Sequence, residues 1–104
     1  GLARVELIVR GRGRSRTRRR IEALGIDAET AREAVDEAAG GLDDRDLVER
    51  ALDRRLRSRT GGALDAAAVA RLSRHLVGQG FPPGVVWTVL RARSRRPVAP
   101  EDDD

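Results

Sequence analysis

The sequence contains no cysteine, methionine, tyrosine or lysine, and its only aromatic residues are Phe81 and Trp87. Without cysteine there can be no disulfide staples or thiolate metal sites, and the usage fits a cytoplasmic protein. The one histidine, His75, has no Asp, Glu or Cys at ligand spacing around it, so no metal and no cofactor is expected. No run approaches the roughly 18 apolar residues of a membrane span, and Leu7-Ile8-Val9 is too short for a span or a signal peptide. With so few large side chains, the core falls to Leu, Val, Ile and many alanines. Alanine lets helices approach closely but buries little apolar area. A 104-residue chain of this make-up is expected to be only marginally stable alone.

Catalytic signatures are missing too. There is no Ser/His/Asp constellation, no cysteine nucleophile, no G-x-x-x-x-G-K-[ST] loop and no H-E-x-x-H. Gly11-Arg12-Gly13 lacks the preceding strand and the third glycine of a dinucleotide-binding turn. The pair Asp43-Asp44 sits at a helix start, where capping accounts for it. The chain is therefore read as a binding protein and not an enzyme.

What the chain does have is arginine. All 21 basic residues are arginine, and 17 acidic residues bring the net charge to +4. A GC-rich codon bias explains the abundance, but the consequence is chemical. Each guanidinium is a planar fork suited to phosphate or carboxylate. The signs are segregated: Arg10 to Arg20 holds seven arginines and no acid, Asp27 to Asp53 is acid-rich, and Glu101 to Asp104 is an acidic tail.

Helix signals recur along the chain, and no segment shows the strict alternation of a half-buried strand. Leu2 to Arg10 reads as a short helix with Leu2, Val5 and Val9 on one face, broken by Gly11 and Gly13. It starts at Gly1 without an initiator methionine and already inside a helical pattern, so residues upstream are expected. Ser15 is placed as the N-cap of a second helix ending near Leu24, with Gly25 as its left-handed terminator. Asp27 caps a third, to about Ala39, before Gly40-Gly41. A fourth runs from Asp44 to about Ser58, its apolar stripe being Leu47, Val48, Ala51, Leu52 and Leu56. Asp65 caps a fifth to about Val77, with Val69, Leu72, Leu76 and Val77 inward. Pro82 and Pro83 open a sixth, to about Arg93. Val85 to Leu90 is β-prone, but the double proline before it and the arginines after it favour helix.

Two stretches look like copies of one helix-turn-helix unit. Aligning Gly25 with Gly80, an offset of 55, pairs Ile21 with Leu76, Ile26 with Phe81, Ala31 with Val86, Ala34 with Val89 and Val35 with Leu90. The shared pattern is a glycine ending one helix, an apolar residue plugging the turn, and a second helix. The fold expected is all-α: tandem three-helix repeats, helix-turn-helix-like units in an elongated array. Residues 1–41 would be the end of one repeat, 42–94 a second, and 95–104 a disordered acidic tail.

Residues Arg20-Ile21-Glu22-Ala23-Leu24-Gly25-Ile26-Asp27 and on to Val35 resemble a hallmark segment of the RecX family of bacterial regulatory proteins. Leu72 to Phe81 resembles the family's turn near the C-terminus, and Ala51-Leu52-Asp53-Arg54-Arg55-Leu56 its basic helix. Order and spacing match over roughly residues 2–93. The resemblance implies tandem three-helix repeats that lie along the groove of a RecA filament on single-stranded DNA. Such a protein inhibits filament extension, ATP hydrolysis and strand exchange, and so regulates recombination, DNA repair and the SOS response. Family members usually carry a further N-terminal repeat, so this chain would correspond to their C-terminal portion.

The candidate partner- or DNA-binding residues are Arg12, Arg14, Arg16, Arg18, Arg19, Arg20, Arg55 and Arg59. They could meet DNA phosphates or an acidic protein face. The bland alternative for the first six is a solvated face paired with the acids of Asp27 to Glu37. On the fourth helix, Asp46 is four residues from Arg50, so an ion pair is the default there. Arg55 and Arg59 lie one turn apart and are freer. His75 is expected to decorate a helix surface, Trp87 to cap the last repeat partly buried, and Phe81 to plug its turn. The rival function is a stand-alone helix-turn-helix nucleic-acid module. Against it, the would-be recognition helix carries Glu29, Glu33, Asp36 and Glu37, which repel phosphate. The expected partner is the RecA filament, with weak DNA contact through arginines; no membrane partner is expected, and the chain should be a monomer.

Overall fold

The computed structural model describes residues 1–57 and 64–95, so Arg59 and the expected acidic tail beyond Arg95 lie outside the described residues. Among the described residues the chain is all-helical, with no strand. Helix α1 spans residues 2–9, an α-helical turn Leu2–Arg4 passing into a π-helical segment Val5–Val9. The others are α2 (Arg14–Glu22), α3 (Ala28–Ala39), α4 (Asp44–Leu56), α5 (Ala66–Gly78) and α6 (Pro83–Arg95).

Local capping chemistry sets three of the starts. Asp27 accepts from the Thr30 N–H at 2.7 Å, and Asp65 from the Ala68 N–H at 2.8 Å. Asp43 accepts from the Asp46 N–H at 2.8 Å while the Asp46 carboxylate accepts from the Asp43 N–H at 3.0 Å, a reciprocal box. These bonds stabilise the charged carboxylates: the Thr30 N–H holds Asp27, and the Asp46 N–H holds Asp43, below the usual Asp range.

Three helix expectations are overturned: the cap of α2, the inward face of α1 and the inward placing of Val77 on α5. Helix α2 is capped by Gly13, not Ser15. The Gly13 N–H is drawn into a 2.7 Å bond to the Gln79 carbonyl, which fixes the helix start one residue pair earlier, and Ser15 Oγ accepts from Arg19 Nη1 at 2.6 Å instead. In α1 the inward residues are Ala3, Glu6 and Leu7, while Val5 and Val9 are exposed. The wide π turn, with the Arg10 N–H bonded to the Val5 carbonyl at 2.8 Å, breaks the 3.6-residue periodicity on which the apolar face was drawn. Glu6 is buried there with Arg10 at 3.6 Å and Arg12 at 3.7 Å.

The helices pack as two groups. Helices α1, α2 and α3 pack on one another, as do α4, α5 and α6, and in each group the third helix lies against both of its predecessors. Gly40, with φ of +61°, makes the bend between the groups. The buried side chains form one apolar cluster through both groups, from Leu7, Ile21 and Val35 to Leu52, Leu76, Val86 and Leu90. On α5 the inward set is Ala68, Leu72 and Leu76; Val77 is exposed, one position off that stripe.

The 55-residue offset is seen at the starts of α3 and α6 and the glycines before them; α2 and α5 differ in length, at 9 and 13 residues, and α1 and α4 do not follow it. Helices α3 and α6 begin at residues 28 and 83, and the glycines before them have φ of +94° at Gly25 and +101° at Gly80. Ile21, Ala31 and Val35 are buried, as are Leu76, Val86 and Leu90. The turn plugs differ. Phe81 is 3% exposed, but Ile26 is 39% exposed. The second turn is covered by the start of α2, whereas nothing presses on Gly25.

Candidate functional site

The covered turn is the seam between the two groups, and arginines hold it. Arg12 Nη1 donates to Gln79 Oε1 at 2.7 Å, and Arg16 Nη1 donates to the same oxygen and to the Gly78 carbonyl at 3.3 Å. Arg14 binds Asp36 at 2.6 Å, Asp44 at 3.2 Å and the Leu42 carbonyl at 3.1 Å, tying α2 to the end of α3 and the start of α4. Gly13 and Gly80 face each other so closely that a Cβ on Gly13 would run into the Gly80 carbonyl.

Three of the eight sequence-predicted contact residues thus bond across this seam. Arg18 pairs with Glu22 at 3.2 Å within α2, and Arg19 donates to Ser15 while remaining exposed. Arg20 is exposed with no ion pair among the described residues, and so is Arg55. Arg59 lies outside the described residues. Pairing with the Asp27–Glu37 acids, the bland expectation, holds for one of the six, through Arg14 and Asp36.

Beside the seam is a cleft of about 490 Å³, lined by Arg10, Gly11, Ala51, Arg54, Arg55, His75 and Gln79. Helix α4 supplies Arg54 and Arg55, α5 supplies His75, Gln79 follows one turn later as the cap of α5, and the segment after α1 supplies Arg10. Arg54 Nη1 reaches the Ile8 carbonyl at 3.5 Å. An adjoining hollow of about 410 Å³ shares Gly11, Ala51 and Arg54 and adds Arg50, Asp53 and Arg57.

None of the acids of α4 lines the cleft itself, although Asp53 lines the adjoining hollow. Glu49 and Asp53 each bind Arg93 of α6 at 2.6 Å, and Asp46 is spent in the capping box. That removes the expected Asp46–Arg50 pair, because the helix N-terminus outcompetes a surface arginine for the carboxylate. Burial alone would lower the Arg93 pKa, but its hydrogen bonds to Asp53 and Glu49 raise it above the usual value. His75 shows the local excess of positive charge. Partial burial first, then Arg55, Arg12 and Arg16, depress its pKa below 6.5, so it stays neutral where a free histidine would begin to protonate.

Arg54, His75 and Gln79 were not among the predicted contacts, while Arg10 opens the basic run that was. Arg54 and His75 carry a faint signal, an arginine beside Arg55 and a histidine one turn before Gln79, but nothing local says that α4 and α5 converge. Trp87 is 54% exposed and not a partly buried cap, because Val86, Val89 and Leu90 take the inward positions of α6; Arg91 sits 6.0 Å from its ring centroid. A second, apolar hollow of about 580 Å³ lies against α1, α2 and α3, with Leu24 and Ile26 exposed at its edge.

Among the described residues no three His, Cys, Asp or Glu side chains are placed to hold a metal ion, and no helix is long and apolar enough to cross a membrane. No protein-family model, curated protein or solved structure matches the chain.

Proposed function

We propose that this chain is a RecX-like regulator that binds the RecA filament on single-stranded DNA and inhibits its extension, ATPase and strand exchange. The supporting observation is the 55-residue recurrence of one unit: a helix ending on a left-handed glycine, then a helix of matched start and buried positions. The residues around those glycines are the ones that resemble the family's hallmarks. On this reading α1–α3 and α4–α6 are tandem three-helix repeats, laid as an array across adjacent recombinase subunits. The seam arginines make the array rigid enough to block subunit addition or the motion coupled to ATP hydrolysis. Arg19, Arg20 and Arg55 are the exposed predicted arginines left for the filament. The chain acts as a cytoplasmic monomer.

The outward face of α3 favours this reading over a helix-turn-helix DNA module. Glu29, Glu33, Asp36 and Glu37 are all exposed on the helix that would enter a groove. The test is the single-stranded-DNA-dependent ATPase rate of a RecA recombinase, titrated with the chain. Inhibition at concentrations where the chain does not bind free DNA supports the filament regulator. Unchanged ATPase with tight, salt-sensitive DNA binding overturns it in favour of the nucleic-acid module.

A further inference from the structure

The cleft beside the seam concentrates cations, and the fold offers an anion only to Arg10, through Glu6. Arg54 and Arg55 have no carboxylate partner among the described residues, and no acidic side chain lines the cleft. The nearest acids are committed: Glu6 is buried between Arg10 and Arg12, and Asp53 is held by Arg93. Gln79 Oε1 already accepts from Arg12 and Arg16, so the unbonded end of Gln79 is its amide NH2, a donor. Every polar side chain on the wall is thus a donor or a potential cation. A fully exposed basic face would relax by spreading its long side chains into water. Here Arg54 Nη1 reaches the Ile8 carbonyl at 3.5 Å, and its Cδ lies 3.8 Å from where a Gly11 Cβ would stand, which keeps its stem along the cleft.

We infer that this cleft is a binding site for a short run of linked phosphate groups, held by Arg10, Arg54, Arg55 and His75, with the Gln79 amide as a neutral donor. Arginine forks and an imidazolium are a donor set matched to tetrahedral phosphate oxygens. The absence of a lining aromatic means that no base or ring is gripped; recognition goes through phosphate alone. The adjoining hollow adds Arg50 and Arg57 but also the Asp53 carboxylate, which Arg93 neutralises. The same chemistry is offered by a free polyphosphate and by a single-strand backbone. The site stands independently of any action on a recombinase filament.

The groups that face His75 are Arg55 on α4, Arg12 on the segment before α2, and Arg16 on α2, with Arg10 and Arg54 on the same cleft wall; all are cations. They oppose its protonation in the free protein. A bound phosphate reverses the sign of the local field, so binding takes up a proton at His75 and strengthens as pH falls from 7.5 to 6.

Because His75 is the only histidine, its imidazole resonance reports on the cleft alone. The experiment is an NMR pH titration of His75 in the whole chain, free, with inorganic tripolyphosphate, and with a 15-residue oligo(dT). The expected result is an upward displacement of the His75 midpoint by at least one of the two probes. Tripolyphosphate alone assigns the site to free polyphosphate; oligo(dT) alone assigns it to a strand backbone. In either case the double variant R54A/R55A should weaken binding by about tenfold or more, the loss expected for two charge-assisted contacts. Both side chains are exposed, so the variant is expected to fold; its helical CD spectrum and unchanged Tm verify that. An unmoved His75 midpoint with both probes at millimolar concentration overturns the proposal. So does binding that persists undiminished in folded R54A/R55A, which would place the phosphate on other arginines.

Discussion

Gly25 and Gly80 occupy matching turns, yet alanine at the two positions should have unequal effects. Both adopt left-handed backbone, φ +94° and +101°. That conformation costs an L-residue about 1–2 kcal/mol, offset by about 0.4–1 kcal/mol because alanine narrows the unfolded ensemble. Nothing lies within 4 Å of a Cβ on Gly25, so G25A should lose only about 1 kcal/mol. A Cβ on Gly80 would stand 2.5 Å from Arg16 Cβ and 2.6 Å from Arg16 N. Backbone cannot give way as a flexible side-chain end can. Overpacking of this kind costs about 1–3 kcal/mol, and straining the Gly13–Gln79 bond costs about 1–3 kcal/mol more. G80A should therefore be at least about 2 kcal/mol less stable than G25A. At about 4–8 °C per kcal/mol for a domain of this size, thermal unfolding by circular dichroism should separate the two by about 10 °C. Gly13 gives the complementary test. Its own φ of −81° and ψ of 170° suit alanine, while its Cβ would meet the Gly80 carbonyl and lie 2.7 Å from Phe81 N. If the seam is as described, G13A destabilises by more than the about 1 kcal/mol that alanine costs at an N-cap; with no contact there, that cost and the entropic gain of about 0.4–1 kcal/mol would nearly cancel. Equal losses for G25A and G80A, or a near-neutral G13A, would refute the packing of α2 on the second turn.

Other consequences are as direct. Thr17 is fully buried and its hydroxyl has no partner among the described residues, so Thr17→Val, which keeps the shape and removes the polar atom, should raise stability by about 1 kcal/mol in urea titrations; a loss would mean that the hydroxyl is bonded. His75 has a folded pKa below its value of 6.5 in the unfolded chain, so the unfolded state binds the extra proton; stability should fall as pH drops through 6.5 and level off below the folded pKa, and H75Q should remove that slope. Asp27 and Asp43 have lowered pKa values, so their stabilisation is present above 3.8 and should be lost as pH falls through their folded values, which D27N/D43N would blunt in acid-unfolding curves. Arg93→Met should cost about 1 kcal/mol, since it leaves Glu49 and Asp53 without their shared cation on a partly exposed surface; a neutral result in denaturant titration would show that solvent replaces the guanidinium fully.

The parts of the fold set by near neighbours were legible. Asp27 and Asp65 could be read as caps because the donors they satisfy lie three residues on, and α3 runs from Ala28 to Ala39 as its pattern predicts. Gly25 and Gly80 were legible for the same reason: a helix ending in a left-handed turn selects glycine locally. What failed depended on distant chain. Gly13 displaced Ser15 because its N–H answers to Gln79. Ile26 and Phe81 hold equivalent positions but only Phe81 is covered, and the covering helix is α2. Glu6 is buried because Arg10 and Arg12 fold back on it around a π turn that periodicity does not reveal. The same limit applied to the site. A run of arginines announces positive charge, but it does not say that Arg12, Arg14 and Arg16 are consumed in holding the chain together while Arg54 and Arg55 remain available.

The seam also imposes an order on assembly. Arg12 and Gln79 are 67 residues apart in sequence, so a chain made from its N-terminus finishes α1, α2 and α3 long before the acceptor for Arg12 exists. Until then the start of α2 has an unanswered Gly13 N–H and two guanidiniums without their shared oxygen. Closing so long a loop comes late, because its entropy must be overcome before the contact is made. The start of α2 thus waits during synthesis for the turn after α5, which secures it.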